Sequence, residues 1–330
     1  MKQVSYAVKF ITPAFLGNAD ASFQWRTPPF KALLRQWWRM AVAREVDFNV
    51  NELRRREGAL FGVASSAEGE KSCKSKVRIR LGHWHEGTMT SAPDIGRVNI
   101  GRMATPASLY SGFGPIVPGG RSGAQMKSGA AIQPGDMSTL SIAFPASESR
   151  LEQAIALMAA YGTTGGRSRN GWGSFELLGD VPEPRIPTHY WKDAMEKDWP
   201  HAFGKDDDGP LVWKSLPQRS WENAMRLLAQ TRVDLRRAVP DRLMLAYPDA
   251  RRTMPGWGRN ERVPNSLRFK VRSEGGQFYA LVFHIPCRPA DALWRRLPDD
   301  IALRFVDCFE IAHEFMDAHG QFARLGGNHD

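Results

Sequence analysis

Arg26-Thr-Pro-Pro-Phe-Lys-Ala-Leu-Leu-Arg-Gln-Trp-Trp-Arg39 sets basic charge and aromatic bulk at one regular spacing, and its reading decides the fold. Thr27 can serve as N-cap, and Pro28 and Pro29 suit a first helical turn, where the N–H groups they lack would have had no partner. On the helix so predicted, Lys31, Arg35 and Arg39 share one side, while Phe30, Leu33, Leu34, Trp37 and Ala41 lie opposite. A row of like charges repels itself. It calls for carboxylates elsewhere in the fold, an external polyanion, or solvation alone. Arg26 just upstream, and the polar turn around Asn18 before it, favour a clamped anionic ligand.

Working outward, residues 3–11 alternate as a strand, and a second helix is predicted from Asn51 to Leu60, stopped by Gly62. Residues 76–81 form a strand with Lys76, Arg78 and Arg80 on one face. Residues 87–135 lack periodicity and are too long for an ordinary connection, yet their apolar content favours an ordered arm or flap. A strand at 139–144 and a helix at 151–161 follow. They lead into the glycine-rich loop 162–174, Gly162-Thr-Thr-Gly-Gly-Arg-Ser-Arg-Asn-Gly-Trp-Gly-Ser174. Gly165 and Gly166 let backbone amides approach an anion, with Arg167 and Arg169 beside them, and Trp172 is available to stack or to pack. The Gly-Lys-Ser/Thr ending of a nucleotide-binding loop is missing. The loop also works as a helix C-cap and turn, although a cap alone does not explain two arginines.

The linker 181–187, rich in proline, divides the chain into 1–180 and 181–330. In the second part, helices are predicted at 221–239, 289–297 and 301–325. A hairpin about Glu274-Gly-Gly sets Arg268, Lys270 and Arg272 on one face. Strands mixed with helices in both parts give an α+β fold.

The 330 residues carry a formal net charge of +10, and 33 of the 45 basic residues are arginine, whose planar fork binds phosphate and stacks on bases. Hydrophobic residues at 42% and charged residues at 24% mark a folded chain. Cys73, Cys287 and Cys308 are unpaired in spacing, which suits a reducing cytoplasm and excludes a disulfide framework. There is no membrane-length apolar run. Asp206-Asp-Asp reads as a solvated loop, and no motif calls for a metal or other cofactor. His83 and His85 project from one strand face as a possible ribonuclease acid/base pair, with a structural role the commoner use of such a pair. His313 and His319 are spaced too widely for a metalloprotease helix.

Taken together, 11–20, the Arg26–Arg39 stretch and the loop from Gly162 resemble the RAMP superfamily of CRISPR-associated proteins, most of all the first subunits of Cmr (type III-B) effector complexes. A weaker echo lies at 262–270. Thr27 and Pro29 stand where the family favours Pro and Ser, Ala32 where it favours Gly, and Gln36 where it favours an aromatic. The resemblance implies two tandem ferredoxin-like, RRM-like domains with a long irregular insertion in the first. It implies a non-catalytic RNA-binding subunit of an antiviral ribonucleoprotein, holding guide RNA toward its 3′ portion and target RNA beside other RAMP subunits. The RNA-contacting candidates are Asn18, Arg26, Lys31, Arg35, Arg39, Gly165, Gly166, Arg167, Arg169, Arg268 and Lys270. The alternative is a metal-independent RAMP endoribonuclease that processes CRISPR transcripts with His83 or His85.

Overall fold

The computed structural model describes residues 1–19, 22–64, 72–121, 123–246, 257 and 261–326. An N-terminal sheet is built from β1 (Lys2–Phe10), β2 (Arg78–Leu81), β3 (Met137–Phe144) and β4 (Phe175–Leu178), in the order β2-β3-β1-β4. Every pairing is antiparallel, with Tyr6 opposite Leu140 and Phe10 opposite Phe175. Helices α1 (Thr27–Val42) and α3 (Arg150–Tyr161) pack together over the face where Tyr6, Val8 and Phe10 are buried, and α2 (Val50–Phe61) leans on α1. The apolar stripe on α1 seats Phe30, Leu34, Trp37 and Trp38 in this core. Arg26, rather than Thr27, occupies the N-cap of α1, and beyond Val42 the helix tightens into a 3₁₀ segment, Ala43–Val46. Asn49 caps α2 by accepting from the amides of Asn51 and Glu52.

The C-terminal sheet repeats the scheme. Its strands are β5 (Val212–Ser215), β6 (Leu267–Glu274), β7 (Gln277–His284) and β8 (Phe322–Arg324), ordered β6-β7-β5-β8 and wholly antiparallel. The helices α4 (Trp221–Ala238) and α5 (Asp299–Asp317) fall after the first and third of these strands, as α1 and α3 do in the N-terminal sheet. Gly275 and Gly276, both at positive φ, close the β6–β7 hairpin as glycine allows. The helix predicted over 301–325 stops at Asp317, because Phe322 pairs with Ser215 and turns the end of the chain into β8.

The arm at 87–135 is ordered where described. A hairpin, Arg97–Ile100 with Met103–Pro106, and a short helix, Ala107–Gly112, pack on α4. The Arg237 guanidinium donates to Asn99 O at 2.6 Å. Its apolar side chains Ile95, Val98 and Ile116 join the core that holds Met225, Leu228 and Phe269, while Phe203 and Phe283 enter the core under α1. The cores therefore cross the linker in both directions.

The tightest tie between the sheets is Lys270. It is wholly buried, and its Nζ donates to Ala159 O (2.9 Å), Gly162 O (2.7 Å) and Phe175 O (3.0 Å). Ala159 and Gly162 lie at the C-terminus of α3, where unpaired carbonyls and the helix dipole favour a cation. Burial pushes the Lys270 pKa well below its usual value. Beside it the Val271 amide donates to Ser174 Oγ at 2.9 Å.

Two predictions follow from this packing. Lys270→Met strands three buried carbonyls and is expected to cost about 3 kcal/mol, read as a lower urea midpoint. An unmoved midpoint would show that Lys270 is not a tie. Buried histidines set the second. His313 and His284 bond ring to ring at 2.9 Å, and His201 and His189 at 3.0 Å. Burial lowers His313 to about 3 and His201 to about 4, and His284 well below its usual value. Histidines held neutral in the fold take up protons only on unfolding. Stability is therefore full above ~6.5 and falls as pH drops below it, each of His201 and His313 withdrawing about 2 kcal/mol by pH 5. Urea melts at pH 7 and pH 5 read the difference, and equal midpoints would refute it.

Candidate nucleic-acid interface

The cation row on α1 finds its carboxylate inside the molecule. Glu57 of α2 is 3% exposed and accepts from Arg35 Nε at 2.7 Å and from Arg39 Nε and Nη2, each at 2.8 Å. Arg35 also lies over the Phe61 ring. Both guanidiniums keep an exposed side. Lys31 has no ion pair among the described residues, and partial burial together with Arg35 lowers its pKa.

The glycine loop follows α3 and folds back on the segment after β1. Gly165 sits at φ +94°, and a Cβ there would lie 2.8 Å from Phe15 O. Gly173, at φ +64°, would place one 1.8 Å from Thr164 O. The amides of Gly166 and Gly173 donate to Phe15 O and Pro13 O. These glycines are therefore required by close packing within the chain. Thr12 Oγ1 and Ser174 Oγ both donate to Gly171 O at 2.8 Å, fixing the loop's exit. Trp172 is fully buried against Phe15, with Nε1 donating to Ser111 Oγ, so it packs and does not stack on a ligand. What the loop turns outward is Arg167, at φ 56°, and Arg169. Neither has a carboxylate partner among the described residues.

The face carrying Arg268 and Lys270 is not the exposed cation row that alternation predicts. It docks on the glycine loop, with Phe269 N donating to Arg169 O at 3.2 Å, so both side chains are covered. Lys270 spends its donors on carbonyls and has none for RNA. Arg268 is 8% exposed and meets Gln36, whose amide oxygen accepts from both terminal nitrogens in its favoured orientation. Burial, and then the like charge of Arg169, lower the Arg268 pKa to about 9.

Beside Arg268 opens a groove of about 690 Å³, lined by Arg167, Arg169, Arg232, Arg262 and Arg288 against one described carboxylate, Asp198. Arg288 donates through Nε to Glu196 O and pairs with Asp291, while its Nη1 is buried without an acceptor among the described residues. Arg232, Arg262 and Arg288 come from α4, from the approach to β6 and from beyond β7. No spacing in the sequence links them to the loop.

The remaining candidates stay nearer the chain turn. Arg26 donates to Gly17 O, and Asn18 is bonded through both ends of its amide to Ser22, so both shape the loop beside Phe15. His83 and His85 lie past the end of β2 and stack at 4.3 Å, with His83 Nε2 bonded to Met137 O at 2.9 Å. The described residues hold no group of three or more metal-ligating side chains and no helix long and apolar enough to cross a membrane.

No family model and no curated protein matches the chain. Among solved structures, it is similar to the apo crystal structure of Cmr1 from Pyrococcus furiosus, at 15% identity over 86% of this chain and 88% of that one, with a TM-score of 0.46. It is similar also to a chain of a type IV-B CRISPR complex, at 12% identity over 56% of this chain and 94% of that one, with a TM-score of 0.32.

Glu57→Ala leaves two partly buried guanidiniums side by side on α1 with no carboxylate from α2 between them, and is expected to destabilise by about 2 kcal/mol. Glu57→Gln, which keeps the shape and loses the charge, is expected to recover part of that loss. Equal urea midpoints for all three proteins would show that the pairing holds nothing.

Proposed function

We propose that the chain is an RNA-binding subunit of a type III, Cmr-like CRISPR effector complex. It is a member of the RAMP superfamily built of two ferredoxin-like units, 1–180 and 181–330, and it holds guide or target RNA without cutting it. The observation that carries this reading is Arg268, a buried guanidinium with no carboxylate partner among the described residues, beside Arg169 and a groove lined by five arginines. A buried guanidinium without a carboxylate beside a cleft is costly unless an anion arrives to offset it. A phosphate backbone suits so many forked donors, because arginine binds it bidentately. The twice-repeated order strand-helix-strand-strand-helix-strand supports the ferredoxin-like part of this reading.

In this reading Arg167 and Arg169 clamp phosphates at the groove mouth, with Arg288 Nη1 offering a donor within. Lys31, Arg35, Arg39 and Arg26 add to the groove's positive field. Guide pairing would supply the sequence information, so this subunit needs no base readout of its own.

Purification from the native host at low salt is expected to bring CRISPR-derived RNA and other subunits with the protein. Arg167→Ala/Arg169→Ala is expected to weaken single-stranded RNA binding and to lower its salt slope by about 1.4, at ~0.7 per phosphate contact, without moving the melting temperature. Unchanged affinity in a folded variant would remove the groove from the site. Discrete RNA products in EDTA that disappear in His83→Ala or His85→Ala would replace this reading with the ribonuclease one.

A further inference from the structure

The outer face of the N-terminal sheet carries charge that the groove does not use. β2 is an edge strand with β3 alone beside it, and Lys76, Arg78 and Arg80 stand exposed at alternate positions along this stretch. None of the three has a carboxylate partner among the described residues. Opposite Arg80 in register is Ser141, and next across the sheet is Ser5, their hydroxyls 2.9 Å apart. The floor beside Arg80 is therefore made of small polar side chains.

Past Leu81 the ladder continues through the Gly82 amide, which donates to Thr139 O at 2.8 Å, and leads to Trp84. The Trp84 side chain is 54% exposed, an unusual state for the largest apolar residue, whose burial would be strongly favourable. Its backbone is nonetheless pinned. Gln24 Nε2 donates to Trp84 O at 2.7 Å, the Trp25 amide donates to His85 O at 3.0 Å, and the His83 and His85 rings stack on each other. Trp84 is thus an exposed indole on a rigid mount at the end of a row of unpaired cations.

We infer that this edge is a second RNA contact, taking a single strand with phosphates on Arg78 and Arg80 and a base stacked on Trp84. Alternate strand positions lie ~6.7 Å apart, comparable to successive phosphates of an extended single strand. Cations tracking a backbone beside an aromatic platform are the recurrent device for binding single strands. The serine floor offers hydroxyls where a protein partner's apolar anchor would need a greasy seat, which favours nucleic acid. The inference rests on RNA being the ligand, as proposed above, and is independent of the groove.

The test uses the full chain and a single-stranded RNA carrying 4-thiouridine. Photo-crosslinking is expected to label the peptide containing Trp84. In anisotropy titrations, Arg78→Ala/Arg80→Ala is expected to lower the salt slope by about 1.4. Trp84→Ala is expected to weaken binding about tenfold, and Trp84→Phe to stay near the parent. Unchanged slope and affinity in these variants, with Arg167→Ala/Arg169→Ala still weakening, would overturn the edge and leave the groove standing. Unchanged RNA binding in every variant would overturn both. RNA binding unchanged but a co-purifying subunit lost in Arg78→Ala/Arg80→Ala would overturn the inference by assigning the edge to a protein.

Discussion

A single buried ammonium holds the two sheets in register. Lys270 leaves β6, crosses the boundary between the cores and ends on carbonyls from the C-terminus of α3 and from β4. Two of those carbonyls lie at a helix end, where the backbone runs out of donors, so the cation satisfies groups that would otherwise be short of a partner. Because the ammonium meets three oxygens at once, sliding β6 against the N-terminal sheet would break every bond together. The glycine loop is trapped in the same joint, with Phe269 and Val271 bonded to it on either side of Lys270.

That joint explains why the loop is so rich in glycine. Phe15, Thr164 and the C-terminal end of α3 press on it from within, and side chains at Gly165 or Gly173 would collide with backbone oxygens. With its middle nailed down, the loop can turn Arg167 and Arg169 outward into a groove whose other arginines come from the C-terminal sheet and its helices. Rigidity inside and charge outside are two results of the same packing.

Much of this was legible in the chain. The amphipathic stripe at Phe30, Leu34 and Trp37 identified the core face of α1, while the mutual repulsion of Arg35 and Arg39 left an internal acid, a polyanion or solvation open and leaned toward an anionic ligand, and only the fold supplies Glu57. Gly275-Gly276 fixed the hairpin. Alternation at Arg268, Lys270 and Arg272 was misleading, because period two says which residues share a face and nothing about what covers it. A basic strand face reads as solvated or ligand-bound, and here another sheet's helix terminus lies on top of it. The groove was half visible: its loop arginines stand beside the glycines, while Arg232 and Arg288 are brought in by topology alone.

The arm at 87–135 has a bearing on how the chain is made. Its partners on α4 are synthesised long after it, Asn99 meeting Gln230 across 131 positions. On the ribosome, Ile95, Val98 and Ile116 must wait uncovered until α4 emerges, and Phe283 arrives later still to finish the core under α1. Such an interlocked chain has long loops to close before its contacts reward it, and it should mature slowly, as one unit, with a window of exposure to aggregation and to chaperones. Cutting the gene at the proline-rich linker would give two fragments, each missing part of its own interior.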